Sequence, residues 1–191
     1  MTKQHTDLFK LFGGKYNLYL LGIALFVLLL FVLFFNPIAR TIKILGVIAI
    51  FTIINTFLKR GMLAFQGLPL EIEVATLGSV VTTVLFGIKV GILTAVLTTF
   101  IASQLTRGIS LYTPMMASGY VLAALMAWFV VPVSIATGGI VITIIVNAYL
   151  IVIFHMVGYS LLENFMYGMS NIMLNAILFL KIAPWLMHVL T

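Results

Sequence analysis

Apolar runs, each closed by glycine, proline or basic residues, set the pattern of this chain, and several are long enough for a bilayer-crossing helix. The first occupies 16–35, follows Lys3, Lys10 and Lys15, and stops at Asn36-Pro37, because proline restrains the residue before it and lacks the N–H that continues a helix. It has the basic head of a signal peptide, but Asn36-Pro37-Ile38-Ala39-Arg40 lacks a small-x-small cleavage site, so a retained helix is expected. A second run, 41–58, ends at Lys59-Arg60-Gly61. Residues 61–71 then mix two glycines and a proline with apolar residues. That mixture is too broken for a helix and too apolar for a solvated loop, and it predicts a partly inserted or capping segment. Helices follow at 72–86 and 88–105, joined by a tight turn at Gly87-Ile88-Lys89, and at 114–131, where Pro114 suits a first turn. Pro132 and Gly138-Gly139 break the pattern before a helix at 140–157. The tail reads as a turn over 158–164 and a helix over 165–190, kinked by Pro184.

The predicted fold class is therefore all-α: a polytopic transmembrane helical bundle of about seven spans in the cell membrane. It divides into an N-terminal tail with one additional helix, 1–40, and a six-helix core, 41–191. Composition removes the alternatives. Of the 191 residues 63% are hydrophobic and only 7% charged, against about 25% charged in soluble domains. Neither a water-soluble domain nor a disordered chain fits. The net charge of +6 comes from basic residues scattered at the ends of runs, with no basic stripe. It describes membrane topology, and nucleic acid is not an expected partner.

Chemistry-bearing motifs are scarce. The chain has no cysteine, which excludes disulfides, thiolate ligands and cysteine nucleophiles. His5, His155 and His188 are too far apart for a local metal motif, and there is no HExxH, no glycine-flanked serine paired with a base and no phosphate-cradling loop. No catalytic residue, metal or cofactor is expected, and the protein reads as a non-enzyme. Two other patterns stand out. Ala75, Ser79, Thr83, Gly87, Gly91, Ala95, Thr99 and Ser103 form a ladder of small residues at four-residue spacing, split by the turn at Gly87. Such faces let helices approach closely, either within one bundle or against a partner subunit. The second pattern is polar. With helices alternating in direction, 59–71, 106–113 and 158–164 fall on one side of the membrane, together with Gln66, Glu71, Glu73, Arg107, Tyr112, His155, Tyr159, Glu163, Asn164 and Tyr167. Aromatic residues with a few convergent polar groups are what small-molecule recognition requires. The predicted substrate-binding residues are Gln66, Glu71, Tyr112, His155, Glu163, Asn164 and Asn171; interfacial anchoring at helix ends is the competing reading.

The middle of the chain, Leu70-Glu71-Ile72-Glu73 leading into Leu85-Phe86-Gly87-Ile88-Lys89-Val90-Gly91-Ile92-Leu93, then Thr98-Thr99-Phe100 and Tyr112-Thr113-Pro114, resembles the substrate-binding (S) components of energy-coupling-factor transporters. The tail, Asn171-Ile172-Met173-Leu174-Asn175-Ala176 followed by Ile182-Ala183-Pro184-Trp185-Leu186, is similar to the last helix of that family. The resemblance covers roughly 41–190. It implies a six-helix membrane fold that binds a vitamin or similar micronutrient near the outer surface, with 61–71 as a gating loop and an energising module of one membrane protein and two ATPases as partner. Where the family carries an alanine-xxx-alanine docking face, this chain has Gly46 and Ala49, and the helix at 16–35 is an addition. Counting Lys and Arg alone places the polar loops inside; the resemblance places them outside. The rival reading is a non-catalytic accessory subunit of a larger membrane complex, which the additional helix and the small-residue faces also suit.

Overall fold

The computed structural model describes residues 22–23, 25–29, 36–63, 72–130 and 134–191. The additional helix expected at 16–35 lies largely outside them, though 22–23 and 25–29 are helical. Two units are separated at Lys43 and Ile44. Helix α1 (Asn36–Met62) runs through that boundary. Pro37 stands at its start, where its missing N–H is harmless. In the second unit α1 is followed by α2 (Ala75–Phe86), α3 (Ile88–Thr106), α4 (Tyr112–Val130), α5 (Ile135–Met156), α6 (Leu161–Ile177), a π-helical turn (Leu178–Ile182) and α7 (Ala183–Leu190).

The described residues are almost entirely helical. Four stretches are long and apolar enough to cross a bilayer: Pro37–Met62, Ile88–Thr106, Ile135–Met156 and Leu161–Leu190. Helix α2, with 12 residues, rises only about 18 Å at 1.5 Å per residue and is too short to cross hydrocarbon by itself. It begins three residues later than the sequence pattern predicts. The Val74 N–H donates to Asn55 Oδ1 on α1 at 3.1 Å, and Glu73 turns its side chain fully into the core, so residues 72–74 leave the helical path.

Burial follows helical stripes. On α1 the inward residues are Val47, Ile48, Phe51, Thr52, Asn55 and Thr56, while Ile50, Ile53, Ile54 and Phe57 face out. On α6 the stripe is inverted relative to a soluble protein: Asn164, Gly168, Asn171 and Asn175 are buried, whereas Phe165, Met166, Met169, Met173 and Ile177 are exposed. Polar-in and apolar-out is stable only where the surroundings are themselves apolar, as in a lipid bilayer.

Two helix boundaries differ from the sequence pattern for visible reasons. Helix α5 starts at Ile135 and includes Gly138 and Gly139, which were expected to break the chain. They lie inside the helix because the buried Phe179 ring packs where a side chain at Gly139 would stand. Helix α6 starts at Leu161, four residues early, with Ser160 as its cap: the Glu163 N–H donates to Ser160 Oγ at 3.5 Å. The expected kink at Pro184 takes the form of the π-helical turn just before it, which accommodates the missing proline N–H.

Candidate functional site

The small-residue ladder is buried in the hairpin of α2 and α3. Gly87, with φ of +97°, makes the turn, and its N–H donates to Thr83 O at 2.9 Å. Only glycine takes this conformation readily. A methyl group at Gly91 would overlap Thr83 Oγ1 and come within 3.0 Å of Ser79 O. Ala75, Ser79, Thr83, Ala95, Thr99 and Ser103 are all buried inside the chain. Most hydroxyls here bond to their own helix four residues back: Ser79 to Ala75 O at 2.7 Å, Thr83 to Ser79 O at 2.8 Å and Thr99 to Ala95 O at 2.7 Å. Two pairs also link helices, Thr82 to Thr94 at 3.0 Å and Thr52 with Thr98 at 3.3 Å.

Next to this hairpin, where α1 ends, the α3–α4 and α5–α6 connections converge around a cavity of about 650 Å³. Its wall includes Lys59 and Met62 from α1, Ile72, Ser103 and Thr106 from α3, Arg107 and Ser110, Tyr112, Thr113 and Met116 from α4, Asn147 and Phe154 from α5, Tyr159, and Glu163, Asn164, Tyr167 and Asn171 from α6. Three aromatic rings tie these elements together. Tyr112 stacks on Phe154 with centroids 4.7 Å apart and planes 6° from parallel. Tyr159 meets both edge-on, at 6.4 Å and 5.6 Å. Geometries of this kind add about 1 kcal/mol per pair beyond burial. The α3–α4 connection is held by a local pair: the Ser110 N–H donates to Thr113 Oγ1 at 3.3 Å, and the Thr113 N–H returns to Ser110 O at 3.0 Å.

The structure brings together four of the seven residues predicted to bind substrate: Tyr112, Glu163, Asn164 and Asn171. His155 does not line the cavity. It is exposed one helical turn from the α5 terminus, with Nδ1 3.4 Å from Tyr159 O, because the α5 residue that turns inward there is Phe154. Gln66 and Glu71 lie outside the described residues. Asn164 is 6% exposed, and its Nδ2 has no hydrogen-bond partner. A buried donor left open beside a cavity is costly unless something accepts from it.

Sequence reasoning left three contributors off the predicted site. Asn147, on the cavity wall, donates from Nδ2 to Thr143 O at 2.8 Å; its mid-span position was the available signal. Glu73 is fully buried: Tyr120 donates to its Oε2, and Asn171 Nδ2 donates to its Oε1 at 3.1 Å. Asn175 Nδ2 in turn donates to Asn171 Oδ1. Glu73 was visible as an acid at a run boundary. Nothing in the sequence marked Tyr120, on an otherwise apolar helix, as its partner. Among the described residues no cluster of three His, Asp or Glu side chains could hold a metal.

Fold and site together define an all-helical bundle with membrane-length apolar helices and one polar-aromatic cavity near the ends of α1, α3 and α5. Comparisons with protein-family models, with curated proteins and with solved structures return no match.

Proposed function

We propose that this chain is a multi-pass membrane subunit that binds a small solute for uptake, such as a vitamin or related micronutrient, and that it acts without catalysing a reaction. The observation that carries the reading is the cavity. Its volume lies within the range of about 300–1,000 Å³ usual for small-molecule sites, and three converging rings line it beside the unpartnered Asn164 Nδ2. A ring-bearing solute stacked against Tyr112 or Tyr159, with an acceptor for Asn164, fits that wall. Lys59 and Arg107 oppose Glu163 in charge around the same cavity, which suits a solute carrying ionised groups of either sign. The resemblance of 41–190 to S components of energy-coupling-factor transporters supports the same role. It adds six spans after an extra N-terminal one, and an energising module as partner. Gly46 and Ala49 lie exposed on α1, where a membrane partner has access to them.

The test is thermal stability of the purified protein in mild detergent against a panel of vitamins and related micronutrients. A solute at 100 times its dissociation constant stabilises by about 2.7 kcal/mol, which shifts melting by several degrees in a chain of this size. Folded, monodisperse protein that no compound stabilises overturns the reading. Stable co-purification with a larger membrane complex, and no solute binding, is the result expected of an accessory subunit.

A further inference from the structure

Glu73 is the one acid among the buried residues of the described chain. The rest of the bundle meets its buried polar needs with neutral hydroxyls and amides; Asn55, for example, holds the Val74 N–H. An ionisable group removed from water is expensive to keep for packing alone, and at membrane depth it marks a pathway or a switch. We propose that Glu73 is a proton-binding site, linked through the Asn171 carboxamide to the cavity.

The hydrogen bonds give the link its physical form. Donors run in one direction, from Asn175 Nδ2 to Asn171 Oδ1, from Asn171 Nδ2 to Glu73 Oε1, and from the Tyr120 hydroxyl to Glu73 Oε2. That order suits an ionised carboxylate, which only accepts. When a proton arrives, the carboxyl becomes a donor on one oxygen and one of its two partners must turn. The Tyr120 hydroxyl can rotate toward Met116 Sδ, 3.8 Å away. Alternatively the Asn171 amide turns over, offers Oδ1 to the new O–H and swings its NH₂ away. Asn171 is also on the cavity wall, so the second response changes what the cavity presents to a solute. Ile72, next to Glu73 in sequence, is on that wall as well, which brings a proton from the cavity within one side chain of the carboxyl. Tyr120 is the titratable group that faces Glu73 from α4; the facing residues of α6, Asn171 and Asn175, are neutral amides. The formal charges on the cavity wall are Lys59, Arg107 and Glu163. The proton site stands on this geometry alone, whereas its link to solute occupancy rests on the solute-binding reading.

Infrared difference spectroscopy between about pH 5 and about pH 8 tests the proton site without any solute. Asp7, Glu71, Glu73 and Glu163 are the four carboxylate side chains of the chain, and glutamate labelled with carbon-13 separates Asp7 from the rest. The expected result is a protonated-carboxyl band that titrates in the unaltered protein, persists in Glu163→Gln and is absent from Glu73→Gln. A Glu73 carboxyl that keeps one ionisation state over the whole range, or a band that responds to sodium at constant pH, overturns the proposal. If Glu73→Gln does not fold, Tyr120→Phe keeps the ring and removes one donor; the titrating band then shifts in frequency, and an unmoved band overturns the assignment to Glu73. For the link, Ser110→Cys on the cavity wall is labelled with a neutral methanethiosulfonate, with Glu73 intact and in the Glu73→Gln background. The ratio of the two rates at matched pH changes by about fivefold or more across the range, and a constant ratio overturns the link. A failed micronutrient panel leaves the infrared result untouched, so the two readings fail separately.

Discussion

The α2–α3 hairpin and the inward face of α6 are both polar and both buried, yet they satisfy their polar atoms in opposite ways. In the hairpin each hydroxyl returns to its own helix, as in Thr82 to Gly78 O at 2.6 Å and Thr94 to Val90 O at 2.8 Å. The helices can then press together with no atom depending on a distant partner. On α6 the bonds reach across the chain, from Asn171 to Glu73, 98 positions away. Asn164 Nδ2 and Asn175 Oδ1 have no partner at all. Local satisfaction makes a rigid, dry contact that needs nothing else. Long-range and incomplete satisfaction leaves groups free to respond, and such groups are the ones beside the cavity. Buried polarity therefore divides here into packing and function according to where its hydrogen bonds end.

Substitutions can break or sharpen that contrast. The largest effect is expected at Gly91→Val, whose side chain overlaps Thr83 and crowds the Ser79 carbonyl; the hairpin loses about 3 kcal/mol, read as a collapse of folded yield and melting temperature in mild detergent. Wild-type stability there means that the hairpin is not closely packed. Next comes Glu73→Leu, which leaves the Tyr120 hydroxyl and an Asn171 N–H buried without an acceptor, at about 2 kcal/mol. Combined with Tyr120→Phe in a double-mutant cycle, part of that loss returns; strict additivity means that the two residues are not coupled. Asn164→Ala should separate binding from stability, since its Nδ2 already lacks a partner. Solute affinity falls about tenfold while the melting temperature without solute hardly moves. The smallest effect is expected at Thr82→Val, which deletes one interhelical hydroxyl pair at about 0.6 kcal/mol. A larger loss places that pair with the responsive groups of α6 and weakens the contrast.

The helical class was legible from run length and hydropathy, because bilayer-length apolar helices admit few other folds. The Gly87 turn was legible too, because a glycine between two apolar runs leaves little choice of path. Boundaries held in place by distant contacts were not. Gly138 and Gly139 read as a break until Phe179, some forty residues on, is seen to require a bare backbone at Gly139. The shortening of α2 depends on Asn55 reaching Val74 from another helix. Among the site residues, Tyr112, Glu163, Asn164 and Asn171 could be inferred because polar residues in an apolar chain are few and alternating helices sort them to one side. The same rule misplaced His155, since it fixes which end of the bundle a residue occupies but not which way its side chain turns. The Glu73–Tyr120 pair joins two such ends through a contact that no local pattern encodes.

The π-helical turn at Leu178–Ile182 has a consequence for the phase of the last helix. Its inward residues are Asn164, Gly168, Asn171, Asn175, Phe179 and Ala183, spaced mostly by four, and a regular helix of 3.6 residues per turn drifts away from such a stripe. The wider π turn absorbs the accumulated lag and returns Ala183 to the interior. It behaves as one residue added to an ordinary helix. Deleting a single residue there restores regular winding and rotates everything after it by about 100°, carrying Ala183 out of the bundle and the Trp185 side around toward it. The C-terminal turns therefore depend on chain length between Phe179 and Pro184 more strictly than on the identity of any residue within that stretch.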